Sequence, residues 1–137
     1  MFISSFKDKD DWFKFLKFNL VKPGKINEET FNSILKRESL GNTFIGNNVS
    51  IPHPLIYKGR NLEIIIFLTS EGLNWDGNNV NLILLLLVPK GETELWDKIF
   101  KKLYPIINNS AFIEKISSIK NPDELKKILV REVGKNV

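Results

Sequence analysis

His53 is the only histidine in the sequence, and it stands between Pro52 and Pro54. Pro54 pushes the His53 backbone toward extended geometry, and Pro52 lacks a backbone N–H, so the imidazole is presented by a stiff, non-helical segment. A neutral imidazole is a nucleophile that can carry a covalent phosphoryl intermediate, and its ordinary pKa leaves much of it neutral near pH 7. Positioning and charge stabilisation supply nearly all of the catalysis in phosphoryl transfer, so stiff presentation suits that chemistry. The plainer alternative is a surface or packing residue. Arg37 carries a guanidinium fork, which can make paired charge-assisted hydrogen bonds to phosphoryl oxygens. It can equally serve as a cation at the end of a helix, complementing the dipole there. One histidine, no cysteine and scattered carboxylates do not make a metal-ligand set, and no cofactor site is indicated.

The elements that must hold these side chains follow from periodicity. Trp12, Leu16 and Leu20 recur at spacings of four over Asp10 to Leu20, with Asp10 or Asp11 as cap, and predict an amphipathic helix ended by Val21-Lys-Pro-Gly24. Asn27 caps a second predicted helix, with Phe31, Ile34 and Leu35 as its apolar stripe and Arg37 in its last turn near Glu38. Glycines and asparagines then punctuate two short β-like pieces, Thr43 to Ile45 and Val49 to Ile51, and His53 follows the second directly. Leu62 to Leu68 and Leu82 to Val88 read as central strands covered on both faces, with a loop or hairpin edge over Thr69 to Asn81. Leu95, Ile99 and Leu103 mark a further helix, and Ser110 caps one carrying Ile113, Ile116 and Ile119. Asn121, Pro122 and Glu124 signal a last one. The order predicts an α/β fold, a small mixed β-sheet flanked by helices, in one domain over residues 1–137.

The charge balance narrows the partners. Twenty Lys and Arg against sixteen Asp and Glu give a net charge of +4, but Lys14, Lys17 and Lys22 lie beside Asp8, Asp10 and Asp11 rather than in a basic stripe. Direct nucleic-acid contact by this domain is therefore not expected. The absence of cysteine agrees with a reducing compartment, and the first residues lack the apolar core of a signal peptide. The run Leu82 to Val88 is too short to cross a bilayer, so the sequence predicts a cytoplasmic protein without membrane insertion.

The segment Arg37-Glu-Ser-Leu-Gly-Asn-Thr43-Phe-Ile-Gly46-Asn47-Asn-Val-Ser-Ile51-Pro52-His53 resembles the signature of the type-2 enzyme IIA, the fructose/mannitol kind, of the bacterial sugar phosphotransferase system. The likeness consists of an Arg-Glu pair, a threonine six positions after the arginine, a glycine three further on, and an aliphatic-Pro-His ending. It continues through a Trp75-containing connection, a strand ending in Pro89 and three carboxy-terminal helices, and covers residues 10 to 130. The resemblance implies the enzyme IIA mannitol/fructose-type fold. It also implies that His53 accepts a phosphoryl group from the phosphocarrier protein HPr and that Arg37 stabilises it, with Thr43, Gly46, Asn47 and Pro52 forming the supporting loop. Such a protein is a phosphocarrier component rather than a turnover enzyme.

Two departures redirect that expectation. Transporter-type members usually carry a second histidine where this chain reads Gly91-Glu92-Thr93-Glu94-Leu95, and a carboxylate such as Glu94 would repel a phosphohistidine. The Ile-Pro-His-Pro form and the Leu-Asn-Trp75 loop are more similar to enzyme IIA-like domains at the carboxy terminus of transcription regulators that contain phosphotransferase-regulation domains. The resemblance then implies a fragment of a longer activator or antiterminator, whose neighbouring domains sense phosphorylation of His53. A stand-alone carrier passing the phosphoryl group to the IIB domain of a sugar permease remains open. So does a degenerate module that binds a partner around an exposed Phe44 or Tyr57. The sequence leaves the reactive imidazole nitrogen undecided.

Overall fold

The computed structural model describes residues 2–117 together with 119, 121, 123, 124, 127, 128 and 131. Among them the order is β1 (Phe2–Ile3), α1 (Lys9–Leu16), a π-helical turn (Lys17–Val21), α2 (Glu28–Ser39), β2 (Phe44–Gly46), β3 (Val49–Ser50), β4 (Glu63–Trp75), β5 (Asn78–Leu87), α3 (Thr93–Ile107) and α4 (Ser110–Ser117). The strands form one mixed sheet in the order β1-β4-β5-β3-β2. The β4–β5 and β2–β3 pairs are antiparallel, whereas β1 runs parallel to β4 and β3 parallel to β5. The expected mixed α/β architecture is the one observed.

Strand β5 explains the three layers. Its side chains alternate with period two, so Ile83, Leu85 and Leu87 point into a core shared with Trp12, Leu16 and Leu20 of the first helical stretch and Phe31 and Ile34 of α2. Leu82, Leu84 and Leu86 face the opposite core, with Ile99 and Ile106 of α3 and Ile113 and Ile116 of α4. The run Leu82–Leu87 within β5 is apolar at every position and so must be covered on both sides, and each fully buried leucine contributes about 1.5–3 kcal/mol relative to exposure.

Several boundaries differ from expectation for identifiable reasons. The first helix is capped by Asp8, whose carboxylate accepts the Asp11 N–H at 2.9 Å, rather than by Asp10 or Asp11. It loosens after Leu16 into the π-helical turn, in which the Lys22 N–H reaches the Lys17 carbonyl at 3.0 Å. Asn27 caps α2 as expected, accepting from the Thr30 N–H at 2.8 Å, but Leu35 is exposed rather than part of the buried stripe.

In the stretch from Thr69 to Asn81 the hairpin alternative is realised: β4 runs to Trp75 and returns through Asp76 and Gly77, both at positive φ. The extra residues 69–72 bulge out of register, and Asn81 spans the bulge by donating to the Thr69 carbonyl at 2.9 Å. Of the expected last helix, Pro122 lies outside the described residues, while the Asn121 side chain accepts the Asp123 N–H at 2.9 Å.

Candidate functional site

His53 is held from three sides. Just before it, the Ile51 N–H donates to the Thr43 carbonyl at 3.0 Å, and the Pro52 carbonyl accepts the Leu86 N–H at 3.0 Å, tying the segment to the sheet. Just after it, the Leu55 and Ile56 N–H groups reach the Ser33 carbonyl at 3.4 Å and hydroxyl at 3.1 Å, tying it to α2. Pro52 and Pro54 are buried while the imidazole between them is half-buried. On its third side the ring meets Trp96, centroids 5.2 Å apart with planes at 68°.

The ring's own hydrogen bond sets its chemistry. Nδ1 lies 2.9 Å from the Ile51 carbonyl, which can only accept, so Nδ1 carries the proton. Nε2 is then the lone-pair nitrogen. Burial holds the His53 pKa below its ordinary 6.5; the Ile51 hydrogen bond opposes this, Arg37 lowers it further and Glu38 raises it. At neutral pH the ring is therefore uncharged, with its lone pair on Nε2.

His53 lines a cavity of about 330 Å³ whose wall includes Arg37, Tyr57, Lys90, Glu92 and Trp96. Arg37 sits in the last turn of α2, and its Nη1 donates to the Gly41 carbonyl at 2.7 Å, which anchors the guanidinium beside the cavity. It pairs with no carboxylate among the described residues. The hydroxyl of Tyr57 stays protonated, since burial and then Glu63 push its pKa up.

The remaining sequence candidates divide. Thr43 is buried, donating its hydroxyl to Glu38 at 2.6 Å and its N–H to the same carboxylate at 3.2 Å. Gly46 ends β2 and Asn47 opens the β2–β3 turn, both at positive φ and outside the cavity wall. There Asn47 donates to the Ile107 carbonyl at 2.7 Å and accepts from the Ser110 hydroxyl at 3.0 Å, latching the sheet to the α3–α4 corner. Glu94 is exposed and outside the cavity wall, where Glu92 stands instead. Phe44 is half-buried and, like Tyr57, packs against the core, so neither is the exposed docking residue expected.

Sequence reasoning missed Glu38, Lys90 and Trp96. The Arg37-Glu38 pair signalled the first, whereas Trp96 lies far from His53 in sequence with no periodic relation to it. Among the described residues no cluster of His, Cys, Asp or Glu could hold a metal ion, and no helix is long and apolar enough to cross a membrane.

A profile of the family described as "Phosphoenolpyruvate-dependent sugar phosphotransferase system, EIIA 2" matches residues 2–132. The probable licABCH operon regulator of Bacillus subtilis (strain 168) is 26% identical over 127 residues, covering 93% of this chain and 20% of that protein. The mannitol-specific phosphotransferase enzyme IIA component of Staphylococcus aureus (strain MRSA252) is 25% identical over 116 residues, 80% of this chain and 76% of that one. In the solved complex of enzyme IIAMtl and phosphorylated enzyme IIBMtl from Escherichia coli, one chain superposes with a TM-score of 0.75 at 19% identity, over 96% of this chain and 99% of that one. This last likeness shows the fold. The chain spans a fifth of the length of the Bacillus regulator it matches. With the profile match running almost end to end, the chain belongs to the EIIA 2 family of the phosphoenolpyruvate-dependent sugar phosphotransferase system.

Proposed function

We propose that His53 accepts a phosphoryl group on Nε2 from HPr and that its phosphorylation state regulates a transcription activator or antiterminator of which this chain, residues 1–137, is one cytoplasmic domain. The observation that carries the reading is the Ile51 carbonyl on Nδ1, 2.9 Å away, which leaves the Nε2 lone pair free beside Arg37. In the transfer the Nε2 lone pair attacks phosphorus in line, and the bond joining the phosphoryl group to HPr breaks with its electron pair staying on HPr. The ring keeps its Nδ1 proton against the Ile51 carbonyl, so it becomes a phospho-imidazolium, a good leaving group that keeps the step reversible. Arg37 and Lys90 offset the incoming charge of close to two units.

Two observations favour regulation over relay. The sequence has no second histidine, and Glu92 faces the cavity, so the acceptor lacks an imidazole partner for onward transfer. The Bacillus regulator aligns with 93% of this chain. The second reading, a carrier that hands the phosphoryl group to a IIB domain, is motivated by the Escherichia coli enzyme with the same fold, solved with phosphorylated IIB.

Incubation with HPr, enzyme I and phosphoenolpyruvate should label the protein in an acid-labile, base-stable form, and His53→Ala should abolish the label. Equal labelling without His53 overturns the assignment. Rapid transfer of the label to a cognate IIB domain would replace the regulatory reading with the carrier one.

A further inference from the structure

We infer that Trp96 is a positioning residue for His53: its indole fixes the orientation and tautomer of the imidazole, and by covering one side of the ring it makes the phosphorylated form long-lived. The inference rests on the reading of His53 as the phosphoryl acceptor. Its first support is placement. Trp96 lies one turn into α3, its ring edge-on to His53 at 5.2 Å and lining the same cavity. Trp96 is itself braced, since it stacks on Phe100 one turn later with centroids 5.5 Å apart and planes at 20°. Its backbone N–H donates to the Glu92 carbonyl at 3.3 Å, joining it to the first turn of α3.

The second support is what the contact does to the ring. An imidazole has two degrees of side-chain freedom, and one hydrogen bond, Nδ1 to the Ile51 carbonyl, leaves rotation about that bond unrestrained. A planar group packed edge-on removes the remaining freedom, as aromatic pairs prefer defined offset or T-shaped geometry. The same contact takes water away from one side of the ring, which contributes to the burial that keeps the imidazole neutral.

Water exclusion also bears on lifetime. In hydrolysis a water oxygen forms a bond to phosphorus as the P–Nε2 bond breaks; its electron pair returns to the ring and a water proton leaves to solvent. That water must approach in line, opposite Nε2, and a ring free to swing outward exposes the phosphoryl group to more such approaches. A braced indole beside the imidazole, in a sequence with no second histidine, suits a site that stores a phosphoryl group as a signal.

The test uses the whole chain and its Trp96→Ala and Trp96→Phe variants. Nitrogen-15 chemical shifts of the His53 ring should show a single Nδ1–H tautomer in the unaltered protein and in Trp96→Phe, and a mixture in Trp96→Ala. The midpoint of the His53 titration should rise toward 6.5 in Trp96→Ala. The half-life of the label after removal of HPr should fall at least threefold in Trp96→Ala and stay within twofold in Trp96→Phe. A mixed tautomer in the unaltered protein overturns the inference without need of any variant. So does a Trp96→Ala protein with unchanged tautomer, titration and half-life, or a Trp96→Phe protein as altered as Trp96→Ala. If the unaltered protein takes no label, the phosphoryl reading fails, and the tautomer and titration still decide whether Trp96 positions the ring.

Discussion

Glu38 and Thr43 are joined twice across the end of α2, the carboxylate accepting the threonine hydroxyl at 2.6 Å and its backbone N–H at 3.2 Å. The pair is buried, and Lys9 of α1 approaches the same carboxylate at 3.7 Å while holding Asp76 of the β4–β5 turn at 2.6 Å. The Arg-Glu-x4-Thr spacing thus has a division of labour: Arg37 faces the cavity, and its neighbour locks the following loop that leads to His53.

Removing that lock leaves a buried hydroxyl and N–H without an acceptor. Glu38→Ala should therefore cost about 1–3 kcal/mol of stability. A urea midpoint unchanged from the native protein would contradict this. Because the Gly41 carbonyl that anchors Arg37 lies inside the locked loop, labelling of His53 should slow as well.

Arg37→Gln removes a positive charge from the cavity wall beside His53 without disturbing the core. By analogy with the loss of one preorganised donor to a developing anion, the initial labelling rate should fall about 100-fold. The urea midpoint should barely move, since Arg37 makes one exposed hydrogen bond, to Gly41. Arg37→Lys should recover only part of the rate, a point charge lacking the fork.

The pH dependence follows from a His53 pKa below 6.5 in the folded protein. Between that lowered value and 6.5 the unfolded chain binds more protons than the folded one, so stability rises with pH through this window. The contribution is fully present above 6.5 and is lost as pH falls through the folded pKa. Urea midpoints measured on acidification from neutral pH should show a decline that His53→Gln lacks in this window. Proton NMR of the ring should titrate below 6.5, and a midpoint at or above that value would refute the neutral-nucleophile argument.

Asn47→Ala separates the turn from the chemistry. It deletes the bond to the Ile107 carbonyl and the acceptor of the Ser110 hydroxyl, and should cost about 1–2 kcal/mol in a denaturation titration. Its labelling rate at a temperature where it is folded should match the native rate, because the turn lies outside the cavity wall.

Local patterns decided a good part of this protein. The Trp12-Leu16-Leu20 spacing, the Asn27 cap and the uninterrupted apolar run of β5 each have one low-energy solution, so the helices and the doubly covered strand could be read directly. Pro52 and Pro54 likewise dictate stiff, extended presentation of His53 whatever surrounds it. Helix ends and the bulged hairpin were less legible. Three aspartates lie within four residues and Asp8 is the one whose carboxylate accepts the Asp11 N–H, while at the bulge Asn81 bonds across to Thr69.

What only the tertiary structure decided are the contacts made at a distance in sequence. The packing of α3 against the sheet brings Trp96 to His53, and the register of the 51–52 segment against β2 and β5 turns the Ile51 carbonyl onto Nδ1. The same packing sends Glu94 outward, puts Glu92 in the cavity wall, and makes Asn47 a latch to the α3–α4 corner. Residue types and spacing announced an imidazole and a guanidinium suited to one another. Which nitrogen is free to react depends on where a carbonyl and an indole come to rest, and that is set by the packing of whole layers rather than by any short stretch of chain.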